Sequence, residues 1–108
     1  MSDYRPDKWV MVKIGDGNLY KIFACWYGGY AGSDSWKLNS GITSVTREGN
    51  TYLFNGSSGS VYECHTDCYG TNFYGGGVLD SMIKRAADIG VNIEILDENT
   101  DPMNLIYE

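Results

Sequence analysis

The densest run of reactive side chains in this 108-residue sequence is Cys64-His65-Thr66-Asp67-Cys68. Thiolates and an imidazole are good zinc ligands. Paired zinc knuckles, however, place two residues between their cysteines, and haem attachment places the histidine directly after the second cysteine. Cys25 completes a four-ligand set only if folding carries it there. The sequence therefore predicts no metal and no cofactor, with Cys64 as a small core side chain and Cys68 in a loop. His65 is the sole histidine. As a general base it needs a carboxylate to orient it and a nucleophile to deprotonate. Asp67, Ser60 and Cys64 are near in sequence, but strand alternation sends Cys64 and His65 to opposite faces. No catalytic residue is assigned.

The glycine-rich segments do not spell a phosphate loop. None ends in Gly-Lys-Ser/Thr, and no Gly-x-Gly-x-x-Gly opens a helix. Gly75-Gly76-Gly77 does precede an expected helix at Val78, so the free N–H groups of residues 75–79 form a candidate anion site of low specificity. The plainer reading is a flexible lead into the helix. More informative is composition. Nine Tyr and fourteen Gly are many for this length. Aromatic rings separated by Ser, Asn and Gly fill three windows, around residues 27–40, 55–60 and 69–74, the chemistry of adaptable recognition surfaces. The candidate ligand-binding residues are Tyr27, Tyr30, Ser33, Ser35, Trp36, Lys37, Asn39, Ser40, Arg47, Ser57, Ser58, His65, Tyr69 and Tyr74. Their rings suit stacking on a nucleobase, and their hydroxyls and amides suit sugars and phosphates. Lys37 and Arg47 supply positive charge. The competing reading is that the rings fill a small core while Ser and Gly make turns.

The elements that must position these residues follow from periodicity. Lys8 to Ile14 reads as a strand with Val10, Val12 and Ile14 on one face and Trp9 and Met11 on the other, which suits a central or well-covered strand. Gly15-Asp16-Gly17-Asn18 signals a hairpin turn into Leu19–Tyr27. Residues 28–35 read as a loop. Trp36–Arg47 reads as a third strand, with an interruption at Asn39-Ser40-Gly41. Thr51–Asn55 and Ser60–His65 follow as an antiparallel meander. Val78 to Ile89 carries an apolar stripe of Val78, Leu79, Met82, Ile83, Ala86 and Ile89 at helical spacing, with Gly90 at its end. Val91, Ile93 and Ile95 alternate as a last strand. The fold expectation is α+β: a five- or six-stranded, mainly antiparallel sheet with one helix packed on a face. Residues 1–108 read as a single domain, with 1–7 a flexible lead-in and 97–108 an acidic tail, solvated or, through Leu105, Ile106 and Tyr107, docking.

The net charge of −6 is uneven. Residues 1–53 hold six bases against five acids, and residues 54–108 hold two bases against nine acids. That balance argues against direct nucleic-acid binding, which needs a basic face. No apolar run follows Met1 and no stretch reaches transmembrane length, so no signal peptide and no membrane partner are expected. Three cysteines suit a reducing, cytoplasmic setting.

Tyr27-Gly28-Gly29-Tyr30, Gly32 to Trp36, Asn39 to Ser44, Gly56 to His65 and Tyr69-Gly70 together resemble small accessory proteins of tailed bacteriophages. The resemblance spans the middle half of the chain and carries no assigned site. It implies a protein made in the cytoplasm of an infected bacterium, where such proteins often act against host defences. Three functions are then weighed. The first is a non-enzymatic, homo-oligomeric binder that sequesters a nucleotide-derived host immune signal. The second is a protein–protein inhibitor of a host defence or nucleic-acid enzyme. The third is a small enzyme using His65 with Asp67 or Cys64.

Overall fold

A computed structural model describes residues 2–28 and 32–107 of the chain. Among them are β1 (Lys8–Ile14), β2 (Leu19–Trp26), β3 (Ser35–Leu38), β4 (Ile42–Glu48), β5 (Thr51–Gly56), β6 (Val61–His65), the helix α1 (Phe73–Asp88) and β7 (Ile93–Ile95). The class is α+β, as expected, but the strands form two antiparallel sheets rather than one. The first runs β3-β2-β1-β7 and the second β4-β5-β6.

The reason lies in β1 and β2. Both are apolar on both faces, so both faces must be covered. On one side Val10, Val12, Phe23 and Cys25 pack beneath Leu79 of α1. On the other, Trp9, Met11, Tyr20, Ile22 and Ala24 pack against Ile42, Tyr52, Phe54, Tyr62 and Cys64 of the second sheet. The result is three layers: helix, four-stranded sheet, three-stranded sheet.

The switch between sheets occurs at Asn39-Ser40-Gly41, where the sequence shows an interruption. Asn39 accepts the Ile22 N–H through its side-chain Oδ1 at 2.9 Å, and its own N–H donates to the Ile22 carbonyl at 3.0 Å. It thus ends the β2–β3 ladder. Gly41 then takes φ 135°, a conformation that favours glycine. The Gly41 carbonyl receives the Ser57 N–H at 2.8 Å, which anchors the chain to the second sheet. Trp36 and Arg47 therefore belong to different sheets, not to one strand.

The helix starts at Phe73, five residues before the expected Val78. Asn72 is its N-cap, accepting the Gly75 N–H at 2.6 Å. The three glycines lie inside the first turns, so the expected anion site at 75–79 is not a helix start. Their use is close packing: a Cβ on Gly75 would overlap the Cys25 Sγ and sit 2.8 Å from Asn72 Oδ1. Glycine lets the helix settle onto β2 at a cost in helix propensity of about 1 kcal/mol per residue. At the far end Gly90 (φ 82°) donates to Ala87 O and Val91 to Ala86 O, a Schellman ending. Ile89 is 79% exposed and drops out of the expected stripe, because as C-cap it leaves helical geometry.

The described segments near each end of the chain are engaged. Within residues 2–7, expected as a flexible lead-in, Asp3 and Tyr4 donate to Val61 O of β6, Glu63 donates to Tyr4 O, and Asp7 donates to Cys25 O of β2. The C-terminal segment docks rather than floating in solvent. Leu96 donates to Met11 O at 2.9 Å, Pro102 is buried, and Tyr107 meets Tyr20 edge-to-face at 5.5 Å.

Candidate functional site

Where the C-terminal segment crosses the open end of the two sheets, it leaves a cleft of 210 Å³. Its floor is Trp9 and Met11 of β1. One wall is Tyr52 of β5 with Arg47 of β4; Thr66 and Tyr69, from the turn after β6, line another stretch. Leu96, Asp97, Glu98, Thr100 and Pro102 of the C-terminal segment close it.

Each ring is held by its polar tip. Trp9 Nε1 donates to the His65 carbonyl at 2.7 Å. The Tyr69 hydroxyl accepts the Met11 N–H at 3.2 Å and donates to the Leu96 carbonyl at 2.6 Å, tying β1 to the C-terminal segment. Trp9 and Tyr69 meet edge-to-face at 4.8 Å, and Trp9 lies 6.2 Å from Tyr52. Such contacts contribute about 0.5–1.5 kcal/mol each beyond burial. Arg47 stacks over Tyr52 at 5.2 Å, with Nη1 donating to the Tyr52 hydroxyl at 3.3 Å and Nε to Gly49 O at 2.9 Å. Burial pushes the Tyr69 hydroxyl above its ordinary range; the Met11 N–H pulls it down, and the charges of Asp97 and Glu98 push it up.

Of the fourteen residues expected to bind, Arg47 and Tyr69 line this cleft. Tyr30 lies outside the described residues. The others fall into separate groups. Tyr27 is exposed beyond β2, its N–H on Asp7 Oδ2 at 2.9 Å. Ser33 and Ser35 are exposed before and at the start of β3. Trp36 stacks on Phe23 at 5.5 Å and 12°, while Lys37 lies 5.1 Å from the Tyr4 ring centroid. Ser40 and Ser58 bond each other, Ser40 Oγ accepting the Ser58 N–H at 3.0 Å, with Ser57 beside them. Tyr74 is exposed on the first turn of α1. Asn39 is 4% exposed and braces the sheet switch, its side chain packed within the protein on the Ile22 N–H.

His65 is exposed. Its Nδ1 accepts the Asp67 N–H at 3.3 Å and lies 3.8 Å from Asp67 Oδ2, so it caps the short 3₁₀ turn Thr66–Cys68. Cys64 points the other way, fully buried, and burial raises its thiol well above the ordinary value. Cys25 sits in the core on the far side of the four-stranded sheet. The three thiols therefore do not converge, and among the described residues no cluster of His, Cys, Asp and Glu has metal-site geometry.

Sequence reasoning missed Trp9, Tyr52, Asp97 and Glu98. Trp9 and Tyr52 read as ordinary inward strand positions, which they are. The one available signal was that both carry a polar tip that a purely apolar core would strand.

A scan of protein-family models finds no match to this chain, and comparisons with curated proteins and with solved structures find none either. The functional reading therefore rests on geometry. Among the described residues no helix is long and apolar enough to cross a membrane.

Proposed function

We propose that the protein acts by binding rather than turnover, and that the cleft between Arg47, Tyr69 and the C-terminal segment is its receptor. One observation carries this reading: three tethered rings, one guanidinium and two carboxylates share a single concavity. Aromatic rings with a few convergent polar groups suit a small-molecule site. The ligand class we propose is nucleotide-derived, since a flat ring suits the walls and a phosphate suits Arg47. The resemblance to small tailed-phage proteins extends this to a homo-oligomeric trap for a host immune signal, working in the cytoplasm of an infected bacterium. Calorimetry against cyclic dinucleotides and ADP-ribose derivatives tests it. Saturable heat that weakens in an Arg47→Gln variant supports the reading; flat traces across the panel contradict it.

A second reading has its own observation. Phe73, Tyr74, Tyr27 and Trp36 are all exposed, Phe73 fully. They gather where α1 begins over Cys25 and Trp26, since Asn72 Nδ2 donates to Trp26 O at 3.2 Å and Trp36 pairs with Cys25. Clustered exposed rings are anchors for a protein partner. The acidic second half favours a basic one, such as a nucleic-acid enzyme. Pull-down from host lysate with Phe73→Ala and Trp36→Ala variants tests this reading, and capture unchanged by both contradicts it.

A further inference from the structure

Charges in the cleft are placed without being paired. Arg47 is fixed by Gly49 O and the Tyr52 hydroxyl, which occupy two of its five N–H groups. Among the described residues no carboxylate forms an ion pair with it. On the C-terminal wall, Asp97 accepts the Asn99 N–H through Oδ1 at 2.8 Å, leaving Oδ2 open, and Glu98 joins no ion pair. A guanidinium and two carboxylates thus line one small concavity without neutralising each other.

We infer that the cleft selects a bipolar ligand: a flat ring bearing an anionic group for Arg47 and N–H or O–H donors for Asp97 and Glu98, as in one nucleoside monophosphate unit. The inference rests on the cleft being the receptor proposed above. Arg47 offers the remaining fork of its guanidinium to phosphate oxygens. Asp97 and Glu98 accept from ribose hydroxyls or an exocyclic amine, and they repel a ligand that brings negative charge to that wall, which adds selectivity by exclusion. Size sets a further limit. A 210 Å³ cleft holds the equivalent of about seven waters at ~30 Å³ each, below the ~300–1,000 Å³ of sites that enclose a drug-sized molecule. It encloses one ring and leaves charged groups at the rim. A cyclic dinucleotide would enter by one half, its second base remaining outside.

The same bipolar chemistry occurs in an aromatic amino acid, so the test carries both sources. Calorimetric titrations use adenosine 5′-monophosphate, adenosine and free tryptophan. Adenosine 5′-monophosphate is expected to bind about tenfold more tightly than adenosine, the increment of one charge-assisted contact. Arg47→Gln, which keeps a side-chain stem over Tyr52, should bring that ratio close to one. The Asp97→Asn/Glu98→Gln double variant should weaken adenosine about tenfold. Equal affinity for adenosine and its 5′-monophosphate, or a ratio that survives Arg47→Gln, overturns the bipolar inference while the cleft remains a receptor for flat rings. Tryptophan binding more tightly than adenosine 5′-monophosphate overturns the nucleotide class. Flat traces with all three probes overturn the receptor reading and this inference with it.

Discussion

The two faces of the four-stranded sheet differ in chemistry. Toward α1 it presents Val10, Val12, Phe23 and Cys25, against Leu79. Apart from one thiol these side chains carry no polar group, and Gly75 lets the helix close directly onto them. Toward the second sheet it presents Trp9, Met11, Tyr20, Ile22 and Ala24, facing Tyr52, Phe54 and Tyr62. Buried indoles and phenols need hydrogen-bond partners. Trp9 finds one at the His65 carbonyl, Tyr52 at the Arg47 guanidinium, and the neighbouring half-buried Tyr69 at the backbone of Met11 and Leu96. An aliphatic layer closes fully; a layer of tethered rings closes only as far as its tethers reach. At the open end of the sheets the difference is a cleft. The helix face holds the fold, and the aromatic face holds the fold while leaving an aperture.

The division is broken if damage to the helix face also abolishes binding at the cleft. Leu79→Ala should cost about 2–5 kcal/mol in denaturant unfolding, because the side chain is fully buried. Its ligand affinity under native conditions should match the parent protein. The aromatic face should behave otherwise. Tyr69→Phe leaves the Met11 N–H and Leu96 carbonyl without their partner, at a cost of about 1–3 kcal/mol. It should also weaken cleft ligands, since the C-terminal wall loses its tie to β1. Parallel chemical unfolding and calorimetry on the two variants check both statements.

Alkaline pH sharpens the same contrast. Burial holds the Tyr62 hydroxyl up at about 12 and raises those of Tyr69 and Tyr107. A phenol whose folded pKa exceeds the unfolded value near 10 favours the folded state while protonated. That contribution is intact below pH 10 and is lost as pH rises from 10 through about 12. Unfolding free energy should therefore begin to fall near pH 9, where the unfolded Cys25 and Cys64 thiols ionise, and fall further above 10 as the phenols follow. Tyr62→Phe should flatten part of that fall. The smallest effect belongs to the loops: Ser40→Ala removes an exposed bond to Ser58 and should shift stability by no more than about 0.5 kcal/mol, with cleft affinity unchanged.

Much of this architecture was legible in the sequence. The alternation of Val10, Val12 and Ile14 with Trp9 and Met11 gave a strand covered on both sides, and the helical stripe through Leu79 and Met82 gave the helix. The second sheet was not legible, because the switch depends on the Asn39 side chain reaching Ile22 across 17 positions. The early helix start was hidden by glycines whose role appears only when Cys25 lies beneath Gly75. Of the candidate cleft, Arg47 and Tyr69 were named from the sequence and the rest of its lining was not. Rings flanked by polar groups do form a concavity, but Trp9 and Tyr52 come from strands and Asp97 and Glu98 from the C-terminal segment, while the Ser- and Gly-rich loops disperse to other edges. Local composition names the aromatic and polar side chains; long-range pairing decides which of them share a concavity.

The central claim is one of location, and amide shift mapping of the ¹⁵N-labelled protein with adenosine 5′-monophosphate tests it most directly. The account predicts perturbations concentrated at Arg47, Thr66, Tyr69 and residues 96–100. Perturbations concentrated instead at Tyr27, Ser35–Lys37, Ser57 and Ser58, with the cleft silent, would contradict it.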